Sequence, residues 1–333
     1  MMKLSILDQS PIPSGKNASE ALMDTRRLAQ AADQLGYHRF WVSEHHYSPS
    51  LAGSSPEVLI SHLAAATDRL RIGSGGVMLP HYSSYKVAEN FKVLEGLYPN
   101  RIDLGVGRAP GGMPLATKAL QEGKRHQRDH YAEQLSDLMT YLHDQADEQH
   151  RFPRLLATPL LETAPQMWLL GSSGGSARLA AERGIGYAFA QFINGAGGAE
   201  VVHNYVRNFR PTVINQTPHT LLAIFVICAE TDAEAERLAS SLDLSLLMLE
   251  KGMIGGRGIP SIEEAEKYPF TAMDRMIVER NRSRMVVGSK TRVAERLLQL
   301  SEEYSTDELM LVTITHDIEA KIYSYQLVAE AIA

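Results

Sequence analysis

The sequence holds a single cysteine, Cys228, among 333 residues. One thiol cannot close a disulfide within the chain, which excludes a cystine-stapled scaffold and suits a reducing compartment. Cys228 falls inside the apolar run 221–229, where a cysteine serves more often as a small buried hydrophobe than as a nucleophile. No apolar stretch reaches the ~20 residues a membrane-spanning helix needs. The opening MMKLSILDQSP has too few apolar residues before Asp8 to form a secretory core. A cytoplasmic protein without membrane attachment is therefore expected. Positive charge is scarce as well: 33 Lys and Arg face 39 Asp and Glu, a net charge of −6, so no overall field favours nucleic acid. Two further signatures are missing. No HExxH or HxH pattern points to a metal, and no G-x-G-x-x-G follows the first strand to hold a nicotinamide dinucleotide.

What is present is alternation. With 44% hydrophobic and 22% charged residues, the chain can bury a substantial core. Short β-rich runs are expected at 3–7, 39–43, 71–79, 101–106, 166–170, 187–192, 221–229 and 308–315. Helical periodicity follows each of them, at 19–35, 56–67, 85–97, 127–142, 176–183, 199–209, 232–250 and 318–332, with a further helix at 291–300. Eight β–α units predict an α/β fold, a (β/α)8 TIM barrel, read as one domain over 1–333. Residues 144–165 and 251–285 break the rhythm and read as insertions. Segments 109–125 and 251–285 are the candidate lids.

In such a barrel the chemistry belongs at the carboxyl ends of the strands. The run WVSEHH places Glu44, His45 and His46 directly after the second strand. A histidine there can hydrogen-bond a cofactor or move a proton near neutral pH. The competing reading is a structural polar cluster, and adjacent histidines diverge too far to chelate a metal alone. In SGGVMLP, Gly75 and Gly76 interrupt an apolar strand, which implies a bulge or a close approach by backbone or ligand. GVGRAPGG misses the dinucleotide spacing but leaves Arg108 at a strand end, placed to clamp a phosphate. LLGSSGGSARLAAERG runs from a strand through Ser172, Ser173 and Ser176 into a helix, a phosphate cradle or an ordinary serine cap. Its G-x-S-x-G core also matches a nucleophile elbow, with Ser173 as nucleophile and Asp307 and His316 downstream, although no HGGG-type segment precedes it.

Together, WVSEHH, PEVLISHLAAATDRLRIGSGGVMLP, NRIDLGVGR and GSSGGSARLAAERG, in this order and at these separations, resemble the bacterial luciferase-like monooxygenase family over nearly the whole chain. The resemblance implies FMN lying across the carboxyl face of the barrel. It places His45 beside the reactive ring and Arg108, Ser172, Ser173 and Ser176 around the phosphate. It also implies a non-prolyl cis peptide at Gly75–Gly76. The flavin would arrive reduced from a separate reductase, and O2 and a small organic substrate would complete the reaction. A homodimer paired through the second and third helices is implied too. Alternatives within the same superfamily are an F420-dependent dehydrogenase or reductase and a flavin-binding protein without turnover. A serine hydrolase is the least favoured reading.

Overall fold

The computed structural model describes residues 2–332 except 125–129 and 254–257. Nine parallel strands appear: β1 (Lys3–Asp8), β2 (Arg39–Val42), β3 (Arg71–Met78), β4 (Ile102–Gly107), β5 (Gln166–Gly171), β6 (Gly186–Ala190), β7 (Thr220–Ala229), β8 (Met285–Ser289) and β9 (Glu308–Val312). Neighbours run in sequence from β1 to β7, then β7 pairs with β9 and β9 returns to β1. Eight strands thus close a barrel, as the alternation predicts.

The ninth strand corrects the sequence expectation. β8 pairs with the second half of β7, from Phe225↔Met285 to Ala229↔Ser289, outside the closed ring. Its five residues, MVVGS, are too short for a period to register, and they run straight into the helix that follows.

The helices are α1 (Ala18–Gln34), α2 (Pro56–Ala65), α3 (Ser84–Leu97), α4 (Pro114–Leu120), α5 (Tyr131–Leu142), α6 (Gly174–Arg183), α7 (Gly198–Asn208), α8 (Asp232–Glu250), α9 (Ile262–Lys267), α10 (Ala272–Arg282), α11 (Lys290–Tyr304) and α12 (Ile318–Ile332). Local chemistry sets several ends. Asn17 and Glu20 form a reciprocal capping box on α1, and α6 stops at Gly184, whose φ of 62° suits a residue without a Cβ. Positions 127–129 of the expected fourth helix lie outside the described residues. Segment 251–285 is not irregular throughout: α9 and α10 lie within it, and Ala265 packs with Leu244 and Leu247 of α8. Segment 144–165 contains no helix or strand among the described residues, as expected of an excursion. It is tied down by buried Lys92, which binds Asp144 at 2.6 Å and the Ala157 carbonyl at 2.9 Å.

Period-two alternation sorts the strand residues into two clusters. Ile6, Phe40, Ile72, Leu104, Leu169 and Leu309 join the layer between strands and helices. Leu7, Trp41, Trp168, Ala188, Phe225 and Met310, on the opposite faces, fill the lumen. The amino-terminal end of the lumen is closed by charge instead. Arg39 reaches Asp103 at 2.8 Å and Glu308 at 2.6 Å, and stacks 4.8 Å from the Trp168 ring. Arg71 also binds Asp103, at 2.6 Å. Cys228 is buried, and burial pushes its thiol up to about 12, so it behaves as the apolar residue its setting suggested.

Candidate functional site

The same alternation that points Arg39 and Trp41 into the lumen carries Ser43 and His45 to the mouth at the carboxyl end. Ser43 Oγ lies 2.9 Å from His45 Nδ1, and the His45 backbone N–H donates to the Gly53 carbonyl at 2.8 Å. Burial, with a smaller contribution from His46, lowers the His45 pKa to about 4, so the ring is neutral at physiological pH.

Glu44 and His46 face away from His45. His46 Nε2 donates to Glu44 Oε1 at 2.7 Å, and Tyr82 donates to the same oxygen at 2.8 Å. The Met78 backbone N–H donates to Glu44 Oε2 at 3.0 Å. Glu44 therefore ties the end of β2 to the end of β3, and the two histidines do not converge on a common ligand.

Gly75 and Gly76 lie one strand further along. Their peptide bond is cis, as the resemblance implies, and the register with β4 shifts between Gly75 and Val77. Packing requires a glycine at Gly76, where a Cβ would meet backbone, and crowds Gly75. A Cβ on Gly75 would stand 2.8 Å from Leu7 Cδ1, and one on Gly76 would stand 2.3 Å from Leu170 Cδ1 and 2.6 Å from the Gly105 carbonyl oxygen.

Arg108 follows the last residue of β4 and is exposed. Its loop is held over the end of β2, because the His46 N–H donates to the Gly111 carbonyl at 2.8 Å. His81 secures the other side, with Nε2 donating to the Pro110 carbonyl at 2.7 Å and Nδ1 accepting from the Gln121 amide at 3.0 Å.

At the end of β5, helix α6 begins two residues before the expected start. Ser173 occupies the N-cap in extended conformation, yet its side chain makes no capping hydrogen bond. Nothing lies within 4 Å of a Cβ added to Gly174 or Gly175. Among the described residues the N–H groups of Gly174, Gly175 and Ser176 have no hydrogen-bond acceptor, and uncapped first-turn donors of this kind suit an anion. Ser176 Oγ donates to the Ser173 carbonyl at 3.0 Å, Tyr187 donates to that carbonyl at 3.2 Å, and Asn194 donates to the Ser172 carbonyl at 3.3 Å. These bonds fix the turn through its carbonyls and use none of its amides.

The seven residues that the resemblance implied, His45, Gly75, Gly76, Arg108, Ser172, Ser173 and Ser176, therefore lie in or just after the carboxyl-terminal halves of four consecutive strands. Three strand spacings of ~4.8 Å, measured across the strands, separate β2 from β5. Ser43, Tyr187 and Asn194 were missed. Ser43 was within reach, since residues two apart in an extended chain share a face; the other two belong to β6 and its loop, with no local motif to mark them.

The hydrolase arrangement is not formed. His316 lies beyond the carboxyl end of β9, where its ring donates to the Ser14 carbonyl at 2.9 Å, while Asp307 precedes β9 at the barrel's other end. A cavity of about 690 Å³ also opens at that other end, lined by Lys3, His38, Arg71, His219 and Asp307 among others. Catalysis in this fold belongs to the opposite face.

The depressed pKa of His45 has a measurable consequence for stability. In the unfolded chain a histidine titrates near 6.5. The folded protein therefore binds fewer protons between that value and about 4, and stability rises with pH across the window. His45 contributes fully above about pH 6.5 and loses up to about 3 kcal/mol as pH falls to 4. Urea unfolding at pH 7 and pH 4.5 should show a larger difference for wild type than for His45→Gln. Equal differences would mean that the ring is not buried as described.

The chain belongs to the luciferase-like monooxygenase family, whose model matches residues 2–307. It is 41% identical to an N-acetyl-S-alkylcysteine monooxygenase of Bacillus subtilis, over 100% of this chain and 98% of that one. The crystal structure of apo-MsnO8 superimposes with a TM-score of 0.91 at 37% identity, covering 99% of this chain and 98% of the other. A type II Baeyer–Villiger monooxygenase component of Pseudomonas putida, solved with FMN, shares the fold with a TM-score of 0.73 at 21% identity, covering 100% and 98%. No helix among the described residues is long and apolar enough to cross a membrane.

Proposed function

We propose that this protein is an FMN-dependent monooxygenase, taking reduced flavin from a separate reductase and using O2 to oxidise a small organic substrate. The observation that carries the reading is the first turn of α6. Its serine cap does not cap, its glycines face open space, and Arg108 stands at the end of the neighbouring strand. Such a turn fits a phosphate, and the rim from β5 back to β2 leaves length for a ring system near His45.

When bound, reduced FMN supplies the electrons that activate O2. The chain's own residues perform the remaining tasks. The α6 amides and the Arg108 guanidinium would hold the flavin's phosphate by charge-assisted hydrogen bonds. The neutral His45 ring presents its outer nitrogen, Nε2, to the reacting atoms. Lumen side chains such as Leu7, Trp41 and Phe225 keep water from the mouth from below. Loop 107–113, pinned by His46 and His81, carries Arg108 above it.

Titration with FMN and with photoreduced FMN tests the reading, F420 serving as the comparison ligand. Reduced FMN is expected to bind most tightly, and Arg108→Ala to weaken it about 10- to 100-fold. Equal, weak binding of every flavin by wild type and variant would remove the proposal. The name of the Bacillus subtilis relative makes N-acetyl-S-alkylcysteines the first substrates to try with reduced FMN and oxygen. A homodimer belongs to the same proposal, supported by Val58 of α2 and Val93 and Leu97 of α3, which stand exposed on adjacent helices. The cytoplasm suits the requirement for a reductase and for a thiol kept reduced.

A further inference from the structure

The pair Ser43–His45 says more than that the histidine is near the site. Ser43 is 4% exposed, so its hydroxyl has little access to bulk water. Among the described residues it has one hydrogen-bond partner, His45 Nδ1 at 2.9 Å. A hydroxyl carries one proton to donate, and a buried O–H left without an acceptor costs about 1–3 kcal/mol. The imidazole offers two possibilities. If Nδ1 carried the ring proton, it would donate to Ser43 Oγ and strand the hydroxyl hydrogen. If Nδ1 is unprotonated, it accepts the Ser43 hydroxyl and no donor is lost. The second arrangement satisfies both groups.

We infer that Ser43 is a positioning residue that locks neutral His45 in the tautomer with its proton on Nε2, making the ring a fixed hydrogen-bond donor toward the reacting atoms rather than a general base. Geometry supports the assignment from both sides. The His45 backbone is held by Gly53, which leaves the ring to be oriented through its own nitrogens. The titratable groups next to it in sequence face elsewhere: His46 and Glu44 are engaged with each other, and Tyr82 is engaged with Glu44. Neither carboxylate nor phenol reaches Nδ1, so the hydroxyl alone sets the tautomer. The ring's low pKa agrees, since a neutral donor is then present across the physiological range. A donor serves an oxygen on which negative charge develops, by hydrogen bonding to it without taking up a proton. The inference rests on the proposed reading only for what Nε2 faces; the tautomer itself does not depend on any bound molecule.

The experiment is nitrogen-15 NMR of flavin-free protein labelled at histidine, with the His45 signals identified by their loss in His45→Gln. Wild type and Ser43→Thr are expected to show a protonated Nε2 and an unprotonated Nδ1, unchanged from pH 8 to pH 5. Ser43→Ala is expected to lose that distinction, its two nitrogens moving toward averaged shifts. A protonated Nδ1 in wild type, or a Ser43→Ala spectrum identical to wild type, would overturn the inference. Failure of FMN to bind would sink the oxygenase reading and leave the NMR result standing, so the two can fail separately.

Discussion

Arg39→Ala is expected to lower the free energy of unfolding by about 3–5 kcal/mol, the largest stability loss of any single change considered for this chain. The guanidinium spends its donors on three partners, with Nε and Nη2 on Glu308 at 2.6 and 3.1 Å and Nη1 on Asp103 at 2.8 Å and Gln166 at 3.1 Å. Removing it leaves buried Glu308 with the Ser5 hydroxyl and no cation among the described residues, and leaves Asp103 to Arg71 and Trp41. Burial alone would raise the Asp103 pKa, and the opposing pull of Arg39 and Arg71 brings it below its ordinary value. Such a carboxylate contributes stability above the unfolded pKa of about 4, and loses it as pH falls through the lower folded value. Without Arg39 the acid limb should therefore begin at higher pH. Arg39→Lys is expected to recover only part of the loss, because an ammonium cannot reproduce the fork that spans Glu308 and Asp103. Urea melts of the three proteins at pH 7 and pH 4 give the comparison. A loss below about 1 kcal/mol for Arg39→Ala would mean that the ion network is solvated and ordinary.

The sequence made the barrel legible because each strand–helix pair repeats its own hydrophobic period, and seven of the eight closing strands lie within two residues of their expected bounds. β8 escaped because MVVGS has no room to show alternation before α11 begins. The floor of the barrel escaped for another reason. Arg39, Asp103 and Glu308 are separated by 64 to 269 positions along the chain, and no local pattern announces that three charges will meet in a lumen. The candidate site was readable in part, since the rule that chemistry sits at the carboxyl ends converts strand positions into neighbours. What that rule could not supply was function within the cluster. Glu44 and His46 stand beside His45 in sequence and spend their polar atoms on holding loops. Gly75 and Gly76, read as a bulge or a close approach, meet Leu7, Leu170 and the Gly105 backbone without any bound molecule. Ser43, passed over as part of a strand, proves to be the residue in contact with the histidine ring.

His45→Ala is expected to reduce flavin-dependent oxygenation about 10²- to 10³-fold, the magnitude associated with removing one preorganised donor from a dry site. Because the ring sits at the mouth and its hydrogen-bond partner among the described residues is Ser43, affinity for reduced FMN should change far less than turnover. That split separates a residue acting on the reaction from one that merely supports the pocket. The replacement series then distinguishes donor from base. His45→Gln keeps an N–H in reach of the same space and should recover about 10-fold over alanine, since a neutral hydrogen bond is worth roughly that much. A base could not be restored by an amide, which takes up no proton in this range. Wild-type turnover should also lack a limb near pH 6.5, because a ring with a pKa of about 4 is neutral on both sides of it. Oxygen uptake with reduced FMN and an N-acetyl-S-alkylcysteine, measured from pH 5.5 to 8.5 in wild type and both variants, reads all three quantities. Equal rates for His45→Ala and wild type would exclude His45 from the chemistry, and a glutamine variant as inactive as alanine would make its role that of a base.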